Sequence, residues 1–453
     1  MKNGALIAIG LCLAAAWPLL PSGDGKDIAP EDKWVARYNG PANSTDWPRG
    51  LALDSAGNVY VTGYSEHSSI NGKFVTIKYS TAGRQLWVRR YAGPVSSGGR
   101  CIAVDSAGNA CVAGTIFHGG NNTDFVTIKY SPNGGQVWVR KYAGPRGEGD
   151  GPLAMALDAA DNVYVTGHIM NAESRATDDY ATIKYDKNGR RLWVKTYNGP
   201  GNGYDIARSI AVDKAGNAYV TGDSFGRGGQ ADIATVKYAS DGEELWVKRY
   251  NGPANGDDGG YDLAADGSGC LFVTGRSTGP EHELDFATLK YNRSGGLLWR
   301  RTYTRTSESK EYPLALAVDD AGHVVVAGST RSGAFQDFSD YATVKYDADG
   351  SELWVKRYSG PVGIGEDVAT DIAMDGSGNI YVTGHSRGSD SSLDFATIKY
   401  NANGRRIWVK RYNGPGNQED EAKAIAVDSA GNVYVTGQSK GAGTGWDFAT
   451  IKY

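Results

Sequence analysis

Residues 193–238 read WVKTYNGPGNGYDIARSIAVDKAGNAYVTGDSFGRGGQADIATVKY, and this stretch decides the fold. Four runs, Leu192–Tyr197, Ser209–Asp213, Ala218–Gly222 and Ile233–Tyr238, are short, rich in β-branched and aromatic residues, and bounded by Gly, Asn or Asp. None carries helical periodicity over a useful length. The unit then repeats. Its tryptophan recurs at Trp34, Trp87, Trp138, Trp193, Trp246, Trp299, Trp354 and Trp408, at intervals of 51 to 55 residues. Four short strands per unit of this length are the pattern of a β-propeller blade.

Crowding orders the strands within a blade. The second run carries alanine in every copy: Ala52, Ala103, Ala156, Ala211, Ala264, Ala317, Ala373 and Ala426. Blades converge on a central axis where only small side chains fit, so this run is the inner strand. The tryptophan run is then the outer strand, where wide gaps between blades need large rings to reach native packing density. The chain enters on an outer strand and its last run, Asp447–Tyr453, is a third strand. The expected fold is therefore all-β: an eight-bladed propeller over residues 33–453, four antiparallel strands per blade, with the N-terminal strand completing the last blade. Closure of that kind removes the exposed sheet edges at the seam.

Length variation picks out a face. From the Asp that ends the inner strand to the Gly that ends the next (Asp54 to Gly63, Asp213 to Gly222) the count is nine in all eight repeats. From Lys78 to Trp87, or Lys184 to Trp193, it is again nine. These are hairpins of fixed register. Glycine holds one turn position in seven of them, and Asp161 in the eighth, a residue type that also tolerates positive φ. Tyr38 to Asp54 takes 16 residues but Tyr91 to Asp105 takes 14, and Gly63 to Lys78 takes 15 but Gly167 to Lys184 takes 17. These variable connections share one face of the disc, and recognition usually sits on such loops.

A formal charge of −4 with no basic stripe argues against nucleic acid as a partner. Lys2, the apolar run Ala5–Trp17 and then Pro18, Pro21, Ser22 and Gly23 read as an export signal over residues 1–23, followed by a short leader at 24–32. The run is too short to span a bilayer. The expectation is an extracytoplasmic protein with no membrane span after signal removal, monomeric; a lipid anchor at Cys12 is disfavoured by Leu11, where a small residue is wanted. Cys101 and Cys111 flank one tight turn, which allows a cross-strand disulfide or, more simply, two small buried thiols.

Three residue series are site candidates. Eight residues before the Asp that ends each inner strand, an acid recurs: Asp46, Asp150, Asp205, Asp258, Glu311, Asp367 and Asp420, with Ser97 the one gap. A second series, Asp124, Asp179, Asp232, Asp285, Asp340, Asp394 and Asp447, precedes the third strand. Either could form a carboxylate ring that attracts cations, although acids repeated in every blade are more simply loop caps or partners of basic neighbours. Calcium is the one cofactor left open. Positions where the blades differ are better candidates for recognition: Tyr64, Thr115, His168, Asp223, Arg276, Ser329, His385 and Gln438, each just after the strand-ending Gly, should surround the channel mouth on the variable face. His168 and His385 are the titratable candidates for acid–base work, four blades apart and so too distant to share a metal.

The runs Ile425–Gly437 (IAVDSAGNVYVTG) and Asp394–Tyr400 (DFATIKY) resemble the bacterial SBBP β-propeller repeat family, in all eight copies after about residue 33. The resemblance implies an exported or cell-surface propeller and brings no shared catalytic residues. Tyr346–Trp354 (YDADGSELW) more weakly resembles pyrroloquinoline-quinone-type repeats, but Lys345 stands where a small residue is expected and no adjacent cysteine pair is present. The expected function is a non-enzymatic scaffold that binds a protein or glycan through the variable face. The alternatives are a propeller enzyme (a lyase or hydrolase, or a quinoprotein) and a calcium-stabilised surface component.

Overall fold

The computed structural model describes residues 32–453 except 69–70, 121, 171–176, 282, 307–308, 332–337 and 390–391. The export-signal expectation lies outside the described residues. Eight four-stranded antiparallel sheets form a ring. Blade 4 is typical: Asp205–Val212 innermost, then Ala218–Phe225, Ala231–Tyr238 and Glu244–Tyr250 outermost. Blade 8 is made of Asp420–Val427, Val433–Lys440, Trp446–Lys452 and, from the other end of the chain, Trp34–Tyr38. That last pairing runs from Trp34 opposite Lys452 to Tyr38 opposite Phe448.

The alanine-bearing strands are innermost and the tryptophan strands outermost, as crowding dictates. The tryptophans are interblade filler with a polar handle. Trp193 packs on Tyr164 and Tyr238, with ring centroids 5.8 and 6.0 Å away, and its Nε1 donates to Ser240 O of the next blade at 3.2 Å. Lys184 donates to the same carbonyl at 2.8 Å. The repeating lysine series thus has buried stems, with ammonium groups fixed on a neighbour's turn. The pairing recurs at Trp87 and Lys78 on Pro132 O and at Trp299 and Lys290 on Ala348 O.

The inner strands differ from the sequence expectation in one respect. Blade 4's begins at Asp205, four residues before Ser209, and it contains a β-bulge. Gly222 pairs with Ala207 and Thr221 with Ser209, so Arg208 is skipped. The same shift occurs in every blade. It explains the strand-ending glycines. A Cβ on Gly222 would lie 1.9 Å from Ile206 O, and the corresponding distance is 1.9–2.1 Å in all eight blades. No side chain fits there. The tight-turn reading also holds: Asp161 has φ 61° where Gly57, Gly108 and Gly216 have 78–79°.

Cys101 and Cys111 do not form a disulfide; both are free. Cys101 pairs with Ala113 and Cys111 with Ala103, so the two cysteines are diagonal rather than opposite across the ladder. Diagonal neighbours are about 7–8 Å apart, beyond disulfide reach. Cys111 is fully buried with Ala113 and Phe125, and Cys101 packs against the same cluster.

Candidate functional site at the channel mouth

The inner-strand acids are built into their own loops. Asp205 takes Gly199 N at 2.8 Å on one oxygen and Phe225 N at 3.0 Å on the other. Asp46 receives Gly40 N at 2.6 Å, Asp367 receives Gly360 N at 2.9 Å and Glu311 receives Arg305 N at 3.1 Å. Asp150, Asp258 and Asp420 repeat the pattern on Gly144, Gly252 and Gly414. All seven acids are buried. Burial pushes Asp46, Asp150, Asp205 and Asp420 up to about 6. Each acid pins the long variable connection to the start of the inner strand.

Several acids of the second series meet basic partners at the start of the third strands, whereas Asp285 accepts from the Thr304 hydroxyl. Arg249 reaches Asp232 at 2.7 Å, Arg411 reaches Asp394 at 2.8 Å, Arg305 reaches Asp340 at 2.7 Å and Arg37 reaches Asp447 at 2.8 Å. Three of these arginines form one motif. Arg249 also donates to the Tyr197 hydroxyl of the preceding blade and to the side chain and carbonyl of Ser224. Arg37 does the same with Tyr412 and Ser439, and Arg411 with Tyr358 and Ser386. Among the described residues, no group of three or more His, Cys, Asp or Glu side chains is placed to hold a metal ion.

The eight varied positions form one layer. Each sits on the second strand of its blade, directly opposite an inner-strand residue: Tyr64 on Trp47, Thr115 on Gly98, His168 on Gly151, Asp223 on Ile206, Arg276 on Gly259, Ser329 on Tyr312, His385 on Val368 and Gln438 on Glu421. Three of these partners are glycines, and the missing side chains leave room for neighbours. A Cβ on Gly151 would come within 3.4 Å of His168 Cε1 and 3.5 Å of Thr115 Oγ1, and one on Gly98 within 3.4 Å of Tyr64. In blades 1 to 3 the layer therefore runs on from one blade to the next. Tyr64 stacks near the exposed ring of Trp47, centroids 5.7 Å apart.

The bulged residues complete the site, and the sequence reading did not single them out. They are Arg49, Arg100, Leu153, Arg208, Tyr261, Leu314, Thr370 and Lys423, one per blade on the innermost strand, where they line the channel. Their signal was available: three residues after the acid (Ser97 in blade 2) at the start of the inner strand, the residue type varies around the ring. Arg208 binds Asp223 with Nη2–Oδ2 at 2.6 Å and lies over Tyr261 of the next blade, 5.3 Å from its ring centre. Thr370 donates to Ala422 O of the next blade at 2.9 Å.

Charge is divided around the channel. Asp262 of blade 5 accepts from Ser209 Oγ of blade 4 and Leu316 N of blade 6. Asp371 of blade 7 accepts from Ile425 N of blade 8, and burial pushes it to about 7. Blades 1, 2 and 4 instead contribute arginines. His168 of blade 3 sits among them, lowered to about 4 by burial and by Arg100 and Arg208, so it is neutral at pH 7. His168 and His385 fall in blades 3 and 7, on opposite sides of the ring. His385 is buried, with Nε2 3.6 Å from Glu366 Oε1.

With this geometry in hand, likenesses to known proteins can be placed. Four segments, residues 33–71, 193–226, 354–390 and 407–443, match the SBBP family, described as a beta-propeller repeat. Each match joins a tryptophan strand to the first two strands of the next blade. The chain is thus an eight-bladed propeller, four segments of which match the SBBP repeat. It is 28% identical over 184 residues to regulatory protein FlaEY of Caulobacter vibrioides, covering 35% of this chain and 18% of that protein. It is 22% identical over 502 residues to the uncharacterized WD repeat-containing protein L264 of Acanthamoeba polyphaga mimivirus, covering 91% of this chain and 33% of that protein. The chain therefore spans a third or less of the length of these curated relatives. Among solved structures, polysaccharide lyase Uly1 aligns with TM-score 0.49 at 12% identity, covering 93% of this chain and 99% of that one. A protein of unknown function from Dyadobacter fermentans aligns with TM-score 0.42 at 9% identity, covering 93% and 98%.

Proposed function

We propose that this propeller is an exported binding scaffold that docks a protein or glycan at the channel mouth of its variable face. One observation carries the reading. The framework repeats from blade to blade, whereas the two side-chain sets facing the mouth, the Tyr64–Gln438 layer and the bulged residues, vary in identity around the ring. Identity varies where the backbone is most uniform, which is the arrangement of a recognition surface held on a rigid support. Exposed Trp47 and Tyr204 add aromatic area of the kind that stacks on sugars or fills protein pockets. Replacing Tyr64, His168, Arg276 and His385 together by alanine should abolish capture of the cognate ligand from the native environment while leaving the melting temperature nearly unchanged. Retained capture would overturn the site.

A second reading, acid–base chemistry at His385, is favoured by the carboxylate of Glu366 beside its buried ring. Turnover of polysaccharide or ester substrates that disappears in His385→Ala and in Glu366→Gln would promote it over the scaffold.

A further inference from the structure

Two of the bulged residues stand apart. Arg49 and Arg100 occupy the same position in adjacent blades. A Cβ on Gly50 would lie 3.6 Å from the Cα of Cys101, so the inner strands touch immediately beside these arginines. Both residues reach solvent at the channel, although the surrounding wall desolvates much of the Arg49 guanidinium. Among the described residues, neither has a hydrogen-bond or ion-pair partner. The nearby carboxylates are already engaged: Asp223 is held by Arg208, and Glu421, which faces Arg49, is held by Lys423. Two further polar atoms at the mouth are buried and unpartnered among the described residues, Nε of Arg276, a donor, and Nδ1 of His168.

Arg49 is lowered from the ordinary arginine value, first by burial and then by repulsion from Arg100, with Glu421 opposing. Unpaired like charges held together in a walled channel form an electrostatic trap for an anion. They do so in a chain whose formal net charge is −4, so the basic arc is local. Arginine's planar fork suits an oxygen pair on carboxylate, sulfate or phosphate.

We infer that Arg49 and Arg100 form a receptor for an oxyanion group (carboxylate, sulfate or phosphate) carried by the ligand that docks at the channel mouth. This rests on the docking reading and adds the chemistry of what is docked. Arg208, tied to Asp223, would flank the anion, and Trp47 and Tyr64 would bound its uncharged part.

The test is calorimetric titration of the purified protein at low ionic strength with sulfate, phosphate and glucuronate, and with neutral glucose as control. Expected is saturable binding of at least one anion with Kd of about 1 mM or tighter, and none of glucose. The relative affinities of the three anions tell the group apart. Arg49→Gln with Arg100→Gln should weaken binding by at least about tenfold, whereas Arg190→Gln, an exposed arginine paired with Asp186 on the opposite face, should not. Because neither mouth arginine makes a bond in the fold, thermal unfolding of the double variant should match the parent. A second readout is the His168 imidazole: neutralising Arg100 by bound anion should raise its pKa from about 4, seen by NMR titration. Absence of binding by all three anions, or binding unchanged in the double variant, overturns the receptor. Either result leaves the docking reading to stand or fall on the alanine variant of the mouth layer.

Discussion

Arg37 Nη2 lies 2.8 Å from Asp447 Oδ2, an ion pair that joins the chain's first strand to its last. The same guanidinium bonds the Tyr412 hydroxyl of blade 7 and the backbone carbonyl of Ser439. In blade 4 the equivalent Arg249 does the same chemistry, but its strand is already tethered to its neighbours by short hairpins. In blade 8 no covalent link holds Trp34–Tyr38 to its sheet.

Arg37→Met and Arg249→Met each leave a buried carboxylate (Asp447 or Asp232) without its arginine, a cost of about 2–4 kcal/mol. Arg37→Met should destabilise the ring more than Arg249→Met because only the seam strand lacks a hairpin to hold it. Denaturant unfolding of the two variants checks the difference. Equal losses would mean the seam contributes no special weakness.

Substitution of a strand-ending glycine should be severe. Gly222→Ala would press a methyl group to 1.9 Å from Ile206 O, and neither strand can yield without breaking the bulge. A loss of about 3 kcal/mol or more is expected, with poor soluble yield. Gly431→Ala, where φ is 78° but nothing lies within 4 Å, should cost only about 1 kcal/mol. A reversed order would sink the close-approach argument.

Stability should fall as pH rises from about 4.5 to about 8. Asp46, Asp150, Asp205 and Asp420 sit at about 6 in the fold and Asp371 at about 7, all above their unfolded values, so the folded chain binds more protons across this window. The sign reverses below it. Asp105, Asp213 and Asp428 are held under the ordinary value by Asn109, Lys129, Asn217 and Asn432, and their contribution is lost in acid. Asp205→Asn should flatten the melting-temperature profile, removing on the order of 2 kcal/mol of its slope. A profile that stays steep would assign the pH dependence elsewhere.

Trp193→Phe keeps the aromatic contact with Tyr164 and Tyr238 but loses the bond to Ser240 O. A cost of about 1 kcal/mol is expected, against about 3–5 for Trp193→Ala, which empties the gap between blades. Thermal unfolding of the pair separates the two contributions.

The architecture was legible because its causes are local. A tryptophan every 50-odd residues, alanine on the inner strand and a fixed hairpin count can be read without any long-range contact. The ends of the chain revealed the closure, since an outer strand at one end and a third strand at the other fit only one ring. The glycine after the second strand was visible as a repeat, but its reason was hidden: it lies in the carbonyl of a strand paired sixteen residues back. The bulge is invisible to the sequence because the inner run reads as starting at Ser209, which leaves Arg208 in the preceding loop. With it went Arg49 and Arg100, whose proximity depends on two blades meeting. Of the two readings open for Cys101 and Cys111, free thiols hold and the disulfide does not, because of a two-residue offset in register that spacing alone does not give.

The displaced residue on each innermost strand has a consequence for how such a disc can change its ligand. Because it has no residue opposite it in the cross-strand register and its side chain lies at the channel, its identity is only loosely coupled to the pairing of its own blade. Eight such sockets, read in order round the axle, give a pattern of Arg, Arg, Leu, Arg, Tyr, Leu, Thr and Lys. Rewriting that pattern one letter at a time would retune what the hub accepts while leaving the surrounding wheel intact.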